Sequence, residues 1–99
     1  MFTTKTNFVL ITRNRQYTLW QRVSNTNRVV SRWYRGSNRF IPIMSAMTHD
    51  GVWKKAASTE SLSESAMRAR YNRARTYRLE AWTDERGEAF IQEHIELFL

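Results

Sequence analysis

An α+β fold is what this sequence predicts: an antiparallel β-meander of three or four strands, then one amphipathic helix, then a C-terminal β-hairpin. Three observations carry that expectation. Residues 8–44 consist of short apolar or alternating runs separated by turn-forming residues at 13–15, 25–27 and 35–38. Ser61 and Glu64 stand at the spacing of a capping box, just ahead of apolar residues at helical intervals. Glu85-Arg86-Gly87 interrupts a final alternating stretch and puts glycine where a three-residue hairpin loop needs it.

The elements follow in order. FVLIT at 8–12 is a short apolar run, QYTLWQRVS at 16–24 alternates, and RVVSRWY at 28–34 is β-branched and aromatic. Pro42, inside RFIPIM, has no N–H to give to a ladder, so a fourth strand there belongs at an edge or a bulge. Residues 45–60 lack periodicity and read as a connection with Gly51 in its turn, a place where function can sit. From Ser61, helical phase gathers Leu62, Ala66, Ala69, Ala74 and Tyr77 on a packed side, with Met67 at its margin. Ser65, Arg68, Asn72 and Arg75 fall opposite, and Glu64 and Arg68 make an i, i+4 pair. Leu79 lands out of phase, so the helix ends by about Tyr77.

Residues 77–98 have two readings. A hairpin places Tyr77, Ala81, Ile91 and Ile95 on one face, and it uses a glycine that would cost ~1 kcal/mol inside a helix. The alternative is a second helix capped by Thr83, with Asp84 and Glu85 in its first turn and Phe90, Ile91, His94, Ile95 and Phe98 at helical spacing. Gly87 tips the choice toward the hairpin.

Length and composition narrow the class. Ninety-nine residues with 41% hydrophobic and 25% charged content suit one globular domain spanning 1–99. With no cysteine, disulfides, thiolate metal sites and cysteine nucleophiles are ruled out. No apolar run approaches a membrane span or a secretory signal, so the expectation is a cytoplasmic protein with no membrane partner. Phosphate-binding glycine loops and a serine elbow are missing from the sequence. His49 and His94 are its two imidazoles, and they carry no ligand spacing. No cofactor, metal or catalytic residue is expected; a small ribonuclease combining a histidine or glutamate with arginines around a scissile phosphate, testable at His49, is the weakest of the readings.

Charge is unevenly distributed. Residues 1–50 carry a net +7, residues 51–78 a net +5 and residues 79–99 a net −5, giving the overall +7. Thirteen of the sixteen cations are arginine, whose planar fork suits phosphate, carboxylate and aromatic faces. Pairing between the basic helix and the acidic C-terminal stretch is one account of this pattern; an exposed basic surface is the other.

The sharpest functional inference comes from a hairpin across Asn25-Thr26-Asn27. A three-residue loop pairs Ser24 with Arg28 and sets Leu19 opposite Trp33 on one face. The other face then sets Trp20 opposite Arg32, Arg22 opposite Val30 and Thr18 opposite Tyr34. A sheet surface bearing Trp20, Arg22, Arg32 and Tyr34, flanked by Arg35 and Arg39, interleaves rings that stack on bases with cations that follow phosphates. Lys54, Lys55, Arg68 and Arg75 would assist. The leading expectation is a small basic, non-catalytic nucleic-acid-binding protein, with single-stranded DNA or RNA favoured. The alternative is a protein-binding inhibitor or assembly factor, of the phage or mobile-element type, acting on an acidic protein surface. A homodimer would use the same residue types, and an ordinary cross-strand cation–π pair would account for Trp20 and Arg32 without any ligand.

Overall fold

FVLITR carries apolar side chains on both faces, the composition of a strand covered from two sides. The computed structural model describes residues 7–23, 39–57, 60–73 and 76–99, and in it this segment is β1 (Phe8–Arg13). β1 pairs antiparallel with β2 (Gln16–Val23) on one edge and β5 (Arg78–Trp82) on the other. β2 in turn pairs with β3 (Arg39–Met47), which pairs with the two-residue β4 (Lys54–Lys55). The sheet order is β4-β3-β2-β1-β5. Helix α1 (Glu64–Tyr71) precedes β5, and α2 (Asp84–Glu93) follows it, continued by a 3-10 turn at Ile95–Leu97. The α+β class with an antiparallel meander is therefore the architecture, and the C-terminal segment is a strand followed by a helix rather than a hairpin.

The two helices lie on opposite faces of the sheet. Val9, Ile11, Trp20 and Phe40 on one face pack with Met67 and Tyr71 of α1. Phe8, Leu19, Ile43, Met44 and Trp82 on the other pack with Phe90 and Ile91 of α2 and with Leu97 and Phe98. Each fully buried large apolar side chain contributes about 1.5–3 kcal/mol. Neither face of the central strands is left wet, which the alternating pattern of β2 did not announce.

The β1–β2 connection is a two-residue loop with both residues in left-handed backbone, Asn14 at φ 49 and Arg15 at φ 65. Its twist matches the strands. Asparagine tolerates that region, while arginine pays for its Cβ by about 1 kcal/mol. Arg15→Gly is therefore expected to stabilise the protein by about 0.5–1 kcal/mol, raising Tm by several degrees in a thermal melt. The Arg15 carbonyl, which accepts from the Thr48 N–H at 2.7 Å, is retained in that variant.

Pro42 sits at a bulge. Leu19 pairs with Met44 and Trp20 with Pro42, so Ile43 is the extra residue. The bulge turns both Ile43 and Met44 toward α2, which is why neighbouring residues share one core. On its outer edge β3 exchanges two bonds between Phe40 and Leu62, and the Ile43 carbonyl accepts from Ala56. By alternation from Phe40, Pro42 occupies the place between them where an outward N–H would find no strand.

The Leu62 bridge also explains where α1 starts. Leu62 is held in extended pairing with Phe40, so the cap is Ser63, whose Oγ accepts from Ala66 N–H at 3.2 Å, and not Ser61. The packed residues are accordingly Met67 and Tyr71, one turn apart, while Ala66 and Ala69 are exposed. The Glu64–Arg68 pair forms as expected, at 3.4 Å.

At the C-terminal segment the strand half of one reading and the helix half of the other both occur. Thr83 caps α2, its hydroxyl accepting from Arg86 N–H at 3.2 Å, with Asp84 and Glu85 in the first turn. Gly87 is buried inside that helix directly against the Phe8 ring. Its lack of a side chain serves close approach of helix to sheet, not a turn. Among the described residues no helix is long and apolar enough to cross a membrane.

Candidate nucleic-acid interface

Trp20 is not an exposed stacking ring. It is 1% exposed, in the core beneath α1, and its indole Nε1 donates to the Tyr71 hydroxyl at 3.1 Å. The two rings meet edge to face at 6.4 Å. The expected pairing of β2 with residues 28–34 is overturned as well: β2 already has β1 on one edge and β3 on the other, so Val9 and Pro42 flank Trp20. A sheet covered on both faces gives a large indole more burial than a one-sided sheet would, and that is the physical reason for the change. Arg32, Tyr34, Arg35 and Arg75 lie outside the described residues.

Of the remaining expected cations, Arg22 and Arg68 lie on the α1 side, whereas Arg39, which pairs with Val23 and alternates with Phe40, starts β3 on the opposite face. Arg22, on the face that α1 covers, places its Cζ 5.5 Å from the Phe40 ring. Arg39, beginning β3, donates from Nε to Ser61 Oγ at 3.2 Å and from a terminal nitrogen to the Ser61 carbonyl at 2.6 Å. Arg68 on α1 pairs with Glu64. Because β2 and β3 are antiparallel neighbours, the chain leaves at Val23 and returns at Arg39 at the same end of the sheet, carrying Arg28, Arg32 and Arg35 in the intervening sequence. Lys54 and Lys55 stand apart on the exposed β4 edge, with Lys55 Nζ 5.4 Å from the Phe98 ring. Arg13, not singled out from the sequence, extends the basic side along α1: it donates to the Arg70 carbonyl at 3.3 Å, where a cation complements the helix dipole.

The expected pairing of the basic stretch with the acidic C-terminal stretch does not extend to α1, whose Arg68 and Arg70 pair with Glu64 and Glu60, whereas Arg78 lies beside Glu80. Glu64–Arg68 and Glu60–Arg70 lie on the α1 side, whereas Glu80–Arg86 lies on the α2 side. Asp84, Glu85, Glu88, Glu93 and Glu96 belong to the layer on the far face of the sheet. Helices about 10–12 Å thick on either side of a sheet hold these charges more than a Debye length, ~10 Å at 0.1 M salt, from the arginines of α1. Acidic charge is thus concentrated on the α2 side, where Arg78 and Arg86 also lie, and the arginines of α1 stand on the other side.

A recess on the α2 side was missed in the sequence reading. It has a volume of about 340 Å³ and is lined by Thr12, Tyr17, Trp53, Arg78, Glu80 and Arg86 among others. Tyr17 and Trp53 stack at 5.9 Å with planes 20° apart. Arg86 lies 4.1 Å over the Trp82 ring and bonds Glu80 Oε1 at 2.6 Å, the same oxygen that accepts from Trp82 Nε1 at 2.8 Å. Trp53 falls in the aperiodic connection, the one sequence signal that pointed here. Of the two imidazoles, His49 is exposed in a turn, and His94 closes α2 with Nδ1 2.9 Å from the Phe90 carbonyl. No family model matches the chain, and no curated protein or solved structure matches it either.

Proposed function

We propose that this is a small, non-catalytic nucleic-acid-binding protein whose docking side is the one that α1 covers. The observation supporting it is the placement of the helices on opposite faces, which sets Arg13, Arg22 and the arginines of α1 apart from the acidic C-terminal helix. Arg22 and Arg68 would contact phosphates, with Arg39 at the strand end beside them, joined by Arg32, Arg35 and Arg75 from the sequence outside the described residues, with Tyr34 as the ring for base stacking and Lys54 and Lys55 at the flank. Trp20 has no part in contact; it holds α1 on the sheet.

Fluorescence anisotropy with unrelated single- and double-stranded oligonucleotides at 50 and 200 mM salt tests this. Four phosphate contacts to a single strand predict an affinity loss of about 50-fold across that range. Arg68→Ala should lower the log–log salt slope by about 0.7 without unfolding, since an exposed i, i+4 pair contributes only about 0.3–0.5 kcal/mol. Absence of binding to both oligonucleotides would sink the reading and pass the basic side to an acidic protein partner.

A further inference from the structure

We propose that the recess between Tyr17–Trp53 and Arg78 is a binding site for a single nucleotide carrying a terminal phosphate, with an amino-bearing base preferred. The inference rests on the α2 side of the molecule and stands independently of the basic side.

The recess exists because of one small residue. Thr12 pairs with Tyr17 on one side and Arg78 on the other, so these three residues form a row across adjacent strands. Strands about 4.8 Å apart put Tyr17 and Arg78 about 10 Å from each other, with only the short threonine between them. A flat ring held between two surfaces needs ~3.5 Å on each side, about 7 Å in all. The row therefore has the width for one heteroaromatic ring and not two.

Its walls have the chemistry of a base site. On one side, Trp53 folds over from the β3–β4 connection and stacks on Tyr17, making a broad aromatic surface. Phe90 braces Trp53 from behind, edge to face at 4.8 Å, so that surface is fixed before any ligand arrives. On the other side, Arg78 is exposed and its side chain has no hydrogen bond, ion pair or ring contact among the described residues. Its guanidinium can take a phosphate in bidentate fashion.

Glu80 supplies orientation. Its Oε1 accepts from both Trp82 and Arg86, which locks the carboxylate, and Oε2 takes no hydrogen bond among the described residues, so the carboxylate that lines the recess has an acceptor to offer a ligand N–H. An exocyclic amino group meets that need, as when a carboxylate accepts from the cytosine amino group. Arg78, Arg86 and Glu80 together give the site one net positive charge, which favours a lone phosphate over a polyphosphate. The volume of about 340 Å³ is at the lower end of small-molecule sites and suits one nucleotide.

Isothermal titration of the full chain with 5′-CMP, 5′-UMP, cytidine and inorganic phosphate tests the assignment. The expected Kd for 5′-CMP is on the order of 0.1 mM, with cytidine and phosphate at least about tenfold weaker and 5′-UMP weaker than 5′-CMP. Arg78→Ala should reduce 5′-CMP binding to the cytidine level at unchanged Tm, and Thr12→Leu, which fills the floor, should abolish binding of both while the circular dichroism spectrum is retained. Competition by a 5′-phosphorylated oligonucleotide, but not its unphosphorylated form, would identify a strand end as the natural source; advantage for the free nucleotide would identify a metabolite. No heat with 5′-CMP, equal affinity for phosphate alone, or indifference to Arg78→Ala would overturn the site. With oligonucleotides lacking a terminal phosphate used for the basic side, failure of either assignment leaves the other standing.

Discussion

Trp20→Ala is expected to destabilise the protein by about 3–5 kcal/mol, the range for removing a buried aromatic side chain. A chain of this length has about 5–15 kcal/mol to lose, so about a fifth or more of its stability goes with one side chain. The indole is 1% exposed between Val9 and Pro42, and it is the hydrogen-bond donor that fixes Tyr71. Urea unfolding should show a lower midpoint with an unchanged m-value if the cost is a cavity beneath α1. Trp20→Phe separates packing from polarity. It keeps a ring but deprives the buried Tyr71 hydroxyl of its donor, for a further cost of about 1–2 kcal/mol that a double-mutant cycle with Tyr71→Phe isolates. Oligonucleotide affinity of Trp20→Phe, measured well below its melting temperature, should equal wild type. A large affinity loss at preserved stability would instead return Trp20 to the binding surface.

The same residue shows what the sequence made legible and what it did not. β1, β2, the turn at 14–15, the strand around Pro42 and the Glu64–Arg68 pair all rest on short-range rules of alternation, turn chemistry and helical spacing, and these survive folding. Which strands become neighbours is a long-range matter. The alternation of β2 is equally consistent with a wet face and with two covered faces, because Trp20 and Leu19 are both apolar and only the helices decide what lies over each. Once α1 and α2 take opposite sides, an inferred platform of Trp20 and Arg22 becomes half core and half rim. The recess was hidden for a related reason: Tyr17, Trp53, Arg78 and Arg86 come from separate elements, and no spacing in the chain links them. Charge was the more durable signal in part: the acids of 84–96 lie in the α2 layer and Arg68 and Arg70 on α1, while Arg78 and Arg86 fall beside Glu80 on the α2 side.

Gly87→Ala is expected to destabilise the protein by about 1–3 kcal/mol, although glycine-to-alanine inside an exposed helix ordinarily gains ~1 kcal/mol. The reversal follows from one contact: an added Cβ at Gly87 would come within 2.0 Å of the Phe8 ring, and both that ring and Gly87 are buried. α2 would have to lift from the sheet and loosen Phe90 and Ile91 from the core they share with Phe8 and Trp82. Two companions make the test specific. Gly87→Ala combined with Phe8→Leu should cost less than the sum of the single changes, since the smaller side chain vacates the space the methyl needs. Gly87→Asn should be worse than Gly87→Ala here because it is larger. A glycine kept for a left-handed turn would show the opposite order, asparagine being the better tolerated in that conformation. If asparagine is tolerated and alanine is not, the packing of α2 on β1 through this position is wrong.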